Sequence, residues 1–181
     1  MDFLAAILVM GCILNCSKVS LAEVPARPEL KQVFLTLQTL APKEAVAFLE
    51  SQGFVKGERA SRKMLLFTGR LYGDSLHVLV GKKRRKSEKV TYRIEIIKTN
   101  VNWYQVKNHI YGLEFKLKEW VDKSPVYRVT QAPRTCLGAE LQCLKQGEMD
   151  YRIQWFWSDP VNGQRFLDLY LNKLGNVVID F

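Results

Sequence analysis

One long helical pattern in the second half of the chain limits its fold more than any other feature. Six apolar residues recur there at alternating spacings of three and four, which places them on one face of a helix about five turns long. They are Trp103, Val106, Ile110, Leu113, Leu117 and Trp120. Asn102 can cap the start, with Gln105 three residues later as in a capping box. Pro125 marks the stop. Such a helix must bury its apolar face against another layer.

Short runs of apolar and β-branched residues on both sides of this helix predict that layer to be a sheet. The predicted strands cover 33–37, 64–72, 75–80, 90–98, 151–157, 165–171 and 176–181. A second predicted helix covers 42–52, with Pro42 in its first turn and Gly53 as its C-terminal cap. Residues 131–150 are predicted to be irregular. The fold class is therefore α+β, a mainly antiparallel sheet with two helices packed on one face, in the order β-α-β-β-β-α-β-β-β.

The N-terminus carries an almost unbroken apolar run, Phe3 to Leu14. It is too short to span a bilayer, which needs about 20 residues, and is typical of a secretory signal. Ser20-Leu21-Ala22 places small residues before a cleavage site, so Glu23 is the predicted first mature residue. The resulting layout is a signal peptide at 1–22, a leader at 23–32 and a single α+β domain at 33–181.

Two alternatives to a cleaved signal stay open. The segment Val9-Met10-Gly11-Cys12 is a weak lipobox, which would anchor the chain at Cys12. A buried N-terminal helix is the other alternative, although it would have no polar face. The signal also lacks the usual positive start, because Met1-Asp2 stands there. The predicted location is outside the cytoplasm, in the periplasm, in the cell envelope or secreted.

Export determines how the four cysteines are interpreted. Cys12 and Cys16 leave with the signal, whereas Cys136 and Cys143 stay in the mature chain. An even pair in an exported domain predicts a disulfide, with two reduced cysteines as the alternative. No metal site is predicted, because the pair is not a CxxC motif and no histidine follows it.

A basic run is the strongest functional candidate in the sequence. It consists of Lys82, Lys83, Arg84, Arg85 and Lys86, in a chain of formal net charge +9. Five adjacent cations create a strong local field that attracts anions. Outside the cytoplasm the expected partners are an anionic glycan, a lipid or a lipopolysaccharide, with no specific nucleic acid. The alternative is a solvated hairpin tip that supports solubility.

The cluster Trp155-Phe156-Trp157 has two interpretations. In a strand Trp155 and Trp157 face one way and Phe156 the other. A tryptophan platform can stack on sugar rings, but large aromatic side chains also fill the core of a two-layer fold. The core interpretation is preferred.

No reaction can be assigned from the sequence. Neither His77 nor His109 has a nucleophile, a carboxylate or a metal ligand at a useful spacing. Glu114 and Glu119 point to different faces of their helix, and no phosphate-binding glycine loop occurs. The three C-terminal candidates for acid–base work are scattered: Asp159, Asp168 and Asp180. The chain is therefore predicted to be no enzyme and to need no cofactor, with a site assembled from dispersed residues as the alternative.

Three motifs resemble the small uncharacterised exported proteins of Bacteroides-type bacteria. They are Leu40-x(4)-Ala45-Val46-x-Phe48-Leu49-x(3)-Gly53-Phe54, the strand Phe67-Thr68-Gly69-Arg70-Leu71-Tyr72, and the helix Trp103-Tyr104-x(2)-Lys107-x(3)-Tyr111-x-Leu113-x(3)-Leu117 with Pro125 at its end. The resemblance covers roughly 34–181. That family usually ends the helix with K-Y-G-x-P, where Asp122-Lys123-Ser124-Pro125 stands here, and its members are usually less basic. The resemblance implies an α+β fold in the cell envelope and no established activity.

These observations predict an exported, non-catalytic binding module for anionic ligands that does not span the membrane after cleavage. The alternative is a protein-interaction or inhibitor module that binds another envelope protein.

Overall fold

The computed structural model describes residues 29–58, 64–71, 74–81, 92–98, 102–131, 133–160 and 163–181. The predicted signal peptide and the basic run Lys82–Lys86 lie outside the described residues. No helix within the described ranges is long and apolar enough to cross a membrane.

The described residues form four α-helices and eight strands. The helices are α1 (Leu30–Leu37), α2 (Pro42–Ser51), α3 (Trp103–Val121) and α4 (Glu140–Gln146). The strands are β1 (Val55–Lys56), β2 (Met64–Leu71), β3 (Asp74–Gly81), β4 (Tyr92–Ile97), β5 (Tyr127–Gln131), β6 (Asp150–Asp159), β7 (Gly163–Leu171) and β8 (Val177–Asp180). A single 3-10 turn covers Arg134–Cys136. The α+β class is confirmed, but the predicted order and the count of two helices are wrong.

All eight strands belong to one antiparallel sheet, in the order β1-β2-β3-β4-β8-β7-β6-β5. Each half of the chain therefore contributes a four-stranded meander, and the two meanders join at β4 and β8. At that junction Ile94 pairs with Ile179. Both isoleucines are fully buried, which places the centre of the sheet in the centre of the core.

The core lies between one face of the sheet and the helices. Alternate residues of β3 and β4 are buried, as expected when a sheet has one covered face. Phe34 of α1 connects the layers. Its ring centroid lies 4.8 Å from that of Phe181, next to β8, and 5.8 Å from that of Trp120 in α3.

The predicted strand at 33–37 is instead part of α1. Val33, Phe34 and Leu37 are its buried residues, and their spacing is that of one helical face. A five-residue apolar run is ambiguous between helix and strand when sequence alone is considered. Because α1 begins at Leu30, the domain boundary drawn at residue 33 falls inside a helix.

Helix α3 has the predicted N-terminal cap and ends before Pro125, which was predicted to mark its stop. The Gln105 backbone N–H donates to Asn102 Oδ1 at 3.0 Å, and the Asn102 N–H donates to Gln105 Oε1 at 2.9 Å. The helix ends at Asp122, a non-glycine residue with a positive φ of 52°. This reciprocal cap satisfies two N–H groups that the first turn leaves without helical partners.

Residues 131–150, predicted to be irregular, contain the 3-10 turn and α4. Cys136 and Cys143 are joined in a disulfide, with their Cα atoms 5.9 Å apart. Both cysteines are buried against Met149 and Trp103. The predicted disulfide is therefore present, and it joins the 3-10 turn to α4, while Trp103 in the first turn of α3 packs against it.

The tryptophan cluster divides between the two faces of β6. Trp155 is fully buried in the core, and its indole N–H donates to the Lys123 carbonyl at 3.1 Å. Phe156 points to the opposite face, where 53% of its surface is exposed. The core interpretation is confirmed for Trp155.

Candidate ligand-binding site

A cleft of about 670 Å³ opens between α1 and α3, above the sheet. We call it the α1–α3 cleft. Its apolar surface comes from both helices and from β3 and β4, and consists of Leu30, Leu76, Ile96, Leu113 and Trp120. Its polar rim consists of Glu29, Lys31, Asp74, Asn108, His109, Lys116 and Glu119. Small-molecule sites in proteins have volumes of this order and this mixture of apolar walls with a few polar groups.

Gly112 opens the wall that α3 contributes to the cleft. It lies in the helix interior, where glycine costs roughly 0.5–1 kcal/mol relative to alanine. A Cβ built on Gly112 would meet no atom within 4 Å, so packing does not require a glycine there. Residues four apart on a helix are neighbours, which places Gly112 between Asn108 and Lys116 on the cleft side. A side chain at this position would narrow the cleft.

Two ion pairs lie at the rim of the cleft. Lys31 of α1 faces Glu119 of α3, with 3.7 Å between Nζ and Oε1, and both side chains are largely exposed. Lys98, just after β4, donates to Asp74 Oδ2 at 2.6 Å. Lys116 forms no ion pair with any described residue. It is the cation of the rim that is available to a ligand.

His109 is the rim residue with the most unusual environment. Its Nε2 atom is buried and has no hydrogen-bond partner among the described residues. Burial lowers the pKa of His109 below its usual 6.5 because it disfavours the charged imidazolium. Lys98 and Lys116 lower this pKa further, whereas Asp74 opposes them. The imidazole is therefore neutral at pH 7 in the empty cleft.

The structure separates the two histidines from each other, and the basic run begins just beyond the described end of β3. His77 alternates with the buried residues of β3 and so lies on the uncovered face of the sheet, away from His109. The basic run follows Gly81, and β3 and β4 are paired at that end through Val80 and Tyr92. Leu76 in the cleft is five residues from Gly81, roughly 17 Å along the strand. The cleft and the point where the basic run begins are therefore at different ends of β3.

Two of the scattered carboxylates prove to be neighbours. Asp168 of β7 and Asp180 of β8 are direct cross-strand partners on the uncovered face. The Arg93 guanidinium donates to both carboxylate oxygens of Asp180, at 2.7 and 2.8 Å. Arg152 lies near Asp168, with 3.8 Å between Nε and Oδ2. These arginines engage the carboxylates as ion pairs within the sheet.

The helical carboxylates are also engaged. Glu114 accepts a hydrogen bond from Arg128 of β5, and Glu119 faces Lys31 across the cleft. The two glutamates therefore have partners in different elements, β5 and α1. Several titratable groups do meet in the cleft, so the expectation that the chain is no enzyme stays a prediction.

One described cluster brings three ligand-type atoms within 4.8 Å of one another, from Cys136, Cys143 and Glu148. Its two sulfurs are joined to each other in the disulfide, so they are not thiolate ligands in this state. The expected absence of metals and cofactors stays a prediction. A smaller cavity of about 260 Å³ borders the same disulfide and is lined by Trp103, Tyr111 and Tyr151, among other residues.

Sequence reasoning placed most cleft residues elsewhere. Leu113 and Trp120 were assigned to the core stripe of α3, and Lys116 was given no role. The one signal in the sequence that could have identified the cleft is Gly112, a glycine inside an otherwise strong helical pattern. Its partners Leu76 and Asp74 come from a strand whose position relative to α3 only the fold defines.

Comparison of the chain with family models, with curated proteins and with solved structures finds no match. The resemblance to exported proteins of Bacteroides-type bacteria stays a prediction.

Proposed function

We propose that this chain is an exported, non-catalytic binding module that holds a small anionic ligand in the α1–α3 cleft. The cleft is the observation that carries the proposal. It combines an apolar surface, a helical glycine that packing does not require, and a lysine without an ion-pair partner among the described residues. A charged group in such a site is recognised best when a few polar groups converge on it from otherwise apolar walls.

The basic run has a separate role in this proposal. Lys82–Lys86 belongs to a chain of net charge +9, and a field of that sign raises the local concentration of anions. Because the run follows Gly81, at the end of β3 away from the cleft, the run is expected to raise the association rate and the cleft to set the dissociation rate. The association rate should therefore depend strongly on salt concentration, and the dissociation rate should depend on it only weakly.

The cleft is tested with the fluorescent sulfonate 1-anilinonaphthalene-8-sulfonate on the chain that begins at Glu23. We expect saturable binding of one molecule per chain. Gly112→Leu narrows the cleft and should weaken binding at least tenfold, while the better helix former leaves the fold intact. Lys118→Leu is the matched control, because it adds the same side chain to an exposed position of α3 outside the cleft. Equal binding by all three proteins would contradict the proposal.

The basic run is tested by stopped-flow measurement of the same probe. Replacing Lys82–Lys86 by serine should slow association at low salt and leave dissociation unchanged. A control variant loses the same charge from five exposed lysines outside the cleft: Lys43, Lys118, Lys123, Lys145 and Lys173. If both variants slow association equally, net charge alone is responsible and the run has no special role.

Export is tested by expressing the full chain and measuring the intact mass of the protein that leaves the cytoplasm. A mass starting at Glu23 supports cleavage after Ala22, and a lipidated mass starting at Cys12 supports the anchored alternative. A protein that stays in the cytoplasm and starts at Met1 would contradict export.

The alternative function is a protein-interaction or inhibitor module of the envelope. It is favoured by two large aromatic side chains on the outer side of α3, Tyr104 and Phe115, which are 75% and 72% exposed. Affinity capture from envelope extract with the wild type and with Phe115→Ser tests it. A partner that is lost with Phe115→Ser and retained with Gly112→Leu would favour this alternative over the cleft.

A further inference from the structure

The part of the α1–α3 cleft above Gly112 is a gap with a cationic or protonatable side chain on each side. His109 and Lys116 lie seven residues apart on α3, so they occupy the same side of the helix, two turns apart. Gly112 lies between them and contributes no side chain. An acid group placed in this gap could accept hydrogen bonds from both neighbours. His109 lines the cleft, and its buried Nε2 atom has no hydrogen-bond partner among the described residues.

The apolar surface of the cleft continues beyond this gap. Leu113 and Trp120 of α3 and Leu76 of β3 line the cleft together with the polar rim. Their contact with a ligand would stabilise binding by about 25 cal/mol for each Å² of apolar surface removed from water. A ligand that uses the whole cleft therefore has both an apolar body and an acid group.

The charges around the cleft decide how many negative charges the ligand carries. Three lysines lie on or next to the rim, namely Lys31, Lys98 and Lys116, and the rim also carries three carboxylates, namely Glu29, Asp74 and Glu119. With His109 neutral these six charges balance. A ligand with one negative charge restores the balance if His109 takes up one proton when the ligand binds.

We propose that the cleft takes an amphipathic monoanion, whose acid group lies between His109 and Lys116, and that His109 gains a proton as this ligand binds. This inference rests on the proposed function. Its physical basis is the low polarity around His109, where an anion in contact stabilises the imidazolium far more than it would in water. Because burial lowers the pKa of His109, the imidazole does not already carry that proton at pH 7.

Three charged groups shift this equilibrium, and two more line the same cleft. Lys116 on α3 and Lys98 after β4 oppose protonation, and Asp74 at the start of β3 favours it. From α1, Glu29 and Lys31 line the same cleft with opposite charges. An opposite charge in contact shifts a pKa by about 1–3 units. Ligand affinity should therefore fall at least ~10-fold between pH 5.5 and pH 8.5.

Decanoate, decyltrimethylammonium and acetate test the ligand class on the chain that begins at Glu23. We expect decanoate to displace the anilinonaphthalene probe, and the cation with the same chain to bind at least ~10-fold more weakly, because it meets Lys116 rather than a carboxylate. Acetate should bind too weakly to displace the probe. Equal binding of decanoate and decyltrimethylammonium would overturn the acid-group site and leave the proposed function standing.

Calorimetry tests whether His109 takes up a proton when the ligand binds. Titration of decanoate at pH 7 in two buffers of different ionisation enthalpy should show proton uptake by the wild type and none by His109→Gln, which keeps a hydrogen-bonding side chain of similar size. Lys116→Gln, an exposed substitution that cannot disturb the core, should weaken binding and keep proton uptake. A pH-independent wild-type affinity overturns the coupling. Failure of the anilinonaphthalene probe itself to bind would overturn the proposed function.

Discussion

Asp168 and Asp180 are direct partners across β7 and β8, yet their carboxylates have very different surroundings. Asp180 accepts two hydrogen bonds from Arg93 and one from the Tyr170 hydroxyl, at 3.2 Å. Asp168 Oδ1 is buried with no hydrogen-bond partner among the described residues. Burial, opposed by Arg152, raises the pKa of Asp168 above its usual value. The sheet register therefore makes the two aspartates neighbours, and their different contacts with Arg93 and Arg152 give the two carboxylates different surroundings.

Substitution of these two aspartates by asparagine should have unequal effects. Asp180→Asn breaks the charged pair with Arg93 and should lower the free energy of unfolding by about 2 kcal/mol. Asp168→Asn removes a charge that burial disfavours and should cost less than about 0.5 kcal/mol. Urea unfolding of both variants at pH 7 measures the difference. Equal losses would show that the contacts of Arg93 do not stabilise the sheet.

Phe34 should be one of the most sensitive positions of the fold. Phe34→Ala leaves a cavity between α1, α3 and β8 and should cost about 3–5 kcal/mol. Leu174→Ala, at an exposed position, should cost less than about 0.5 kcal/mol. Thermal unfolding of the two variants measures these losses. A small effect of Phe34→Ala would mean that α1 contributes little to the stability of the domain.

Two glycines should respond to alanine with opposite signs. A Cβ at Gly69 would lie 2.5 Å from Cδ1 of the Phe54 ring, so Gly69→Ala should destabilise by about 1–3 kcal/mol. The Cβ that Gly112→Ala adds would meet no atom within 4 Å, and alanine is the better helix former. This substitution should therefore raise the free energy of unfolding by about 0.5–1 kcal/mol. The denaturant concentration at the midpoint of unfolding, compared with that of the wild type, measures both effects. A destabilising Gly112→Ala would show that a methyl group at this position does not meet open space.

Removal of the disulfide should weaken the domain without unfolding it. Cys136 and Cys143 are seven residues apart in sequence, and a loop of this size contributes about 2.5 kcal/mol by restricting the unfolded chain. The double variant Cys136→Ser, Cys143→Ser should lose about that much. A thiol titration of the native chain from Glu23 should find no free thiol. Two free thiols in the native protein would contradict the disulfide.

The ligand-free protein should lose stability in acid because of His109. The folded-state pKa of His109 is lowered, so between that pKa and the usual 6.5 the unfolded chain binds more protons. Stability due to His109 is therefore full above about pH 6.5 and is lost as the pH falls through the folded-state pKa. Urea unfolding from pH 8 to pH 5 should show a smaller decrease for His109→Gln than for the wild type. His77→Gln is the matched control, and an equal change in both variants would contradict the assignment.

Local patterns in the sequence were sufficient to predict some parts of this fold. The reciprocal cap at Asn102 and Gln105 and the apolar stripe of α3 depend only on residues a few positions apart. Arg128 shows why other parts were missed. It lies in a core-facing register opposite Ile153, where a charged residue argues against a strand, and its partner Glu114 belongs to a different element. Tertiary contacts of this kind leave no mark on a local pattern.

The candidate site illustrates the same limit. In the sequence Lys116 looks like an ordinary solvent-exposed residue of α3. Its position at the cleft depends on how α1 packs against α3, which the local sequence does not define. Asp168 and Asp180 read as scattered, because their adjacency follows from the β7–β8 register. The disulfide was predictable because Cys136 and Cys143 are the two cysteines that remain after the predicted signal is removed, and an even pair in an exported domain favours a disulfide.

The position of β8 between β4 and β7 has a consequence for how the protein is delivered. Val177–Asp180 follow every other strand in chain order, yet they join the two halves of the sheet. In a chain translocated from its N-terminus, as proposed here, the inner edges of β4 and β7 would stay unpaired until this last strand arrived. Unpaired edges invite pairing with other chains. Transport would therefore leave a period in which the half-assembled sheet is open to a chaperone or to aggregation.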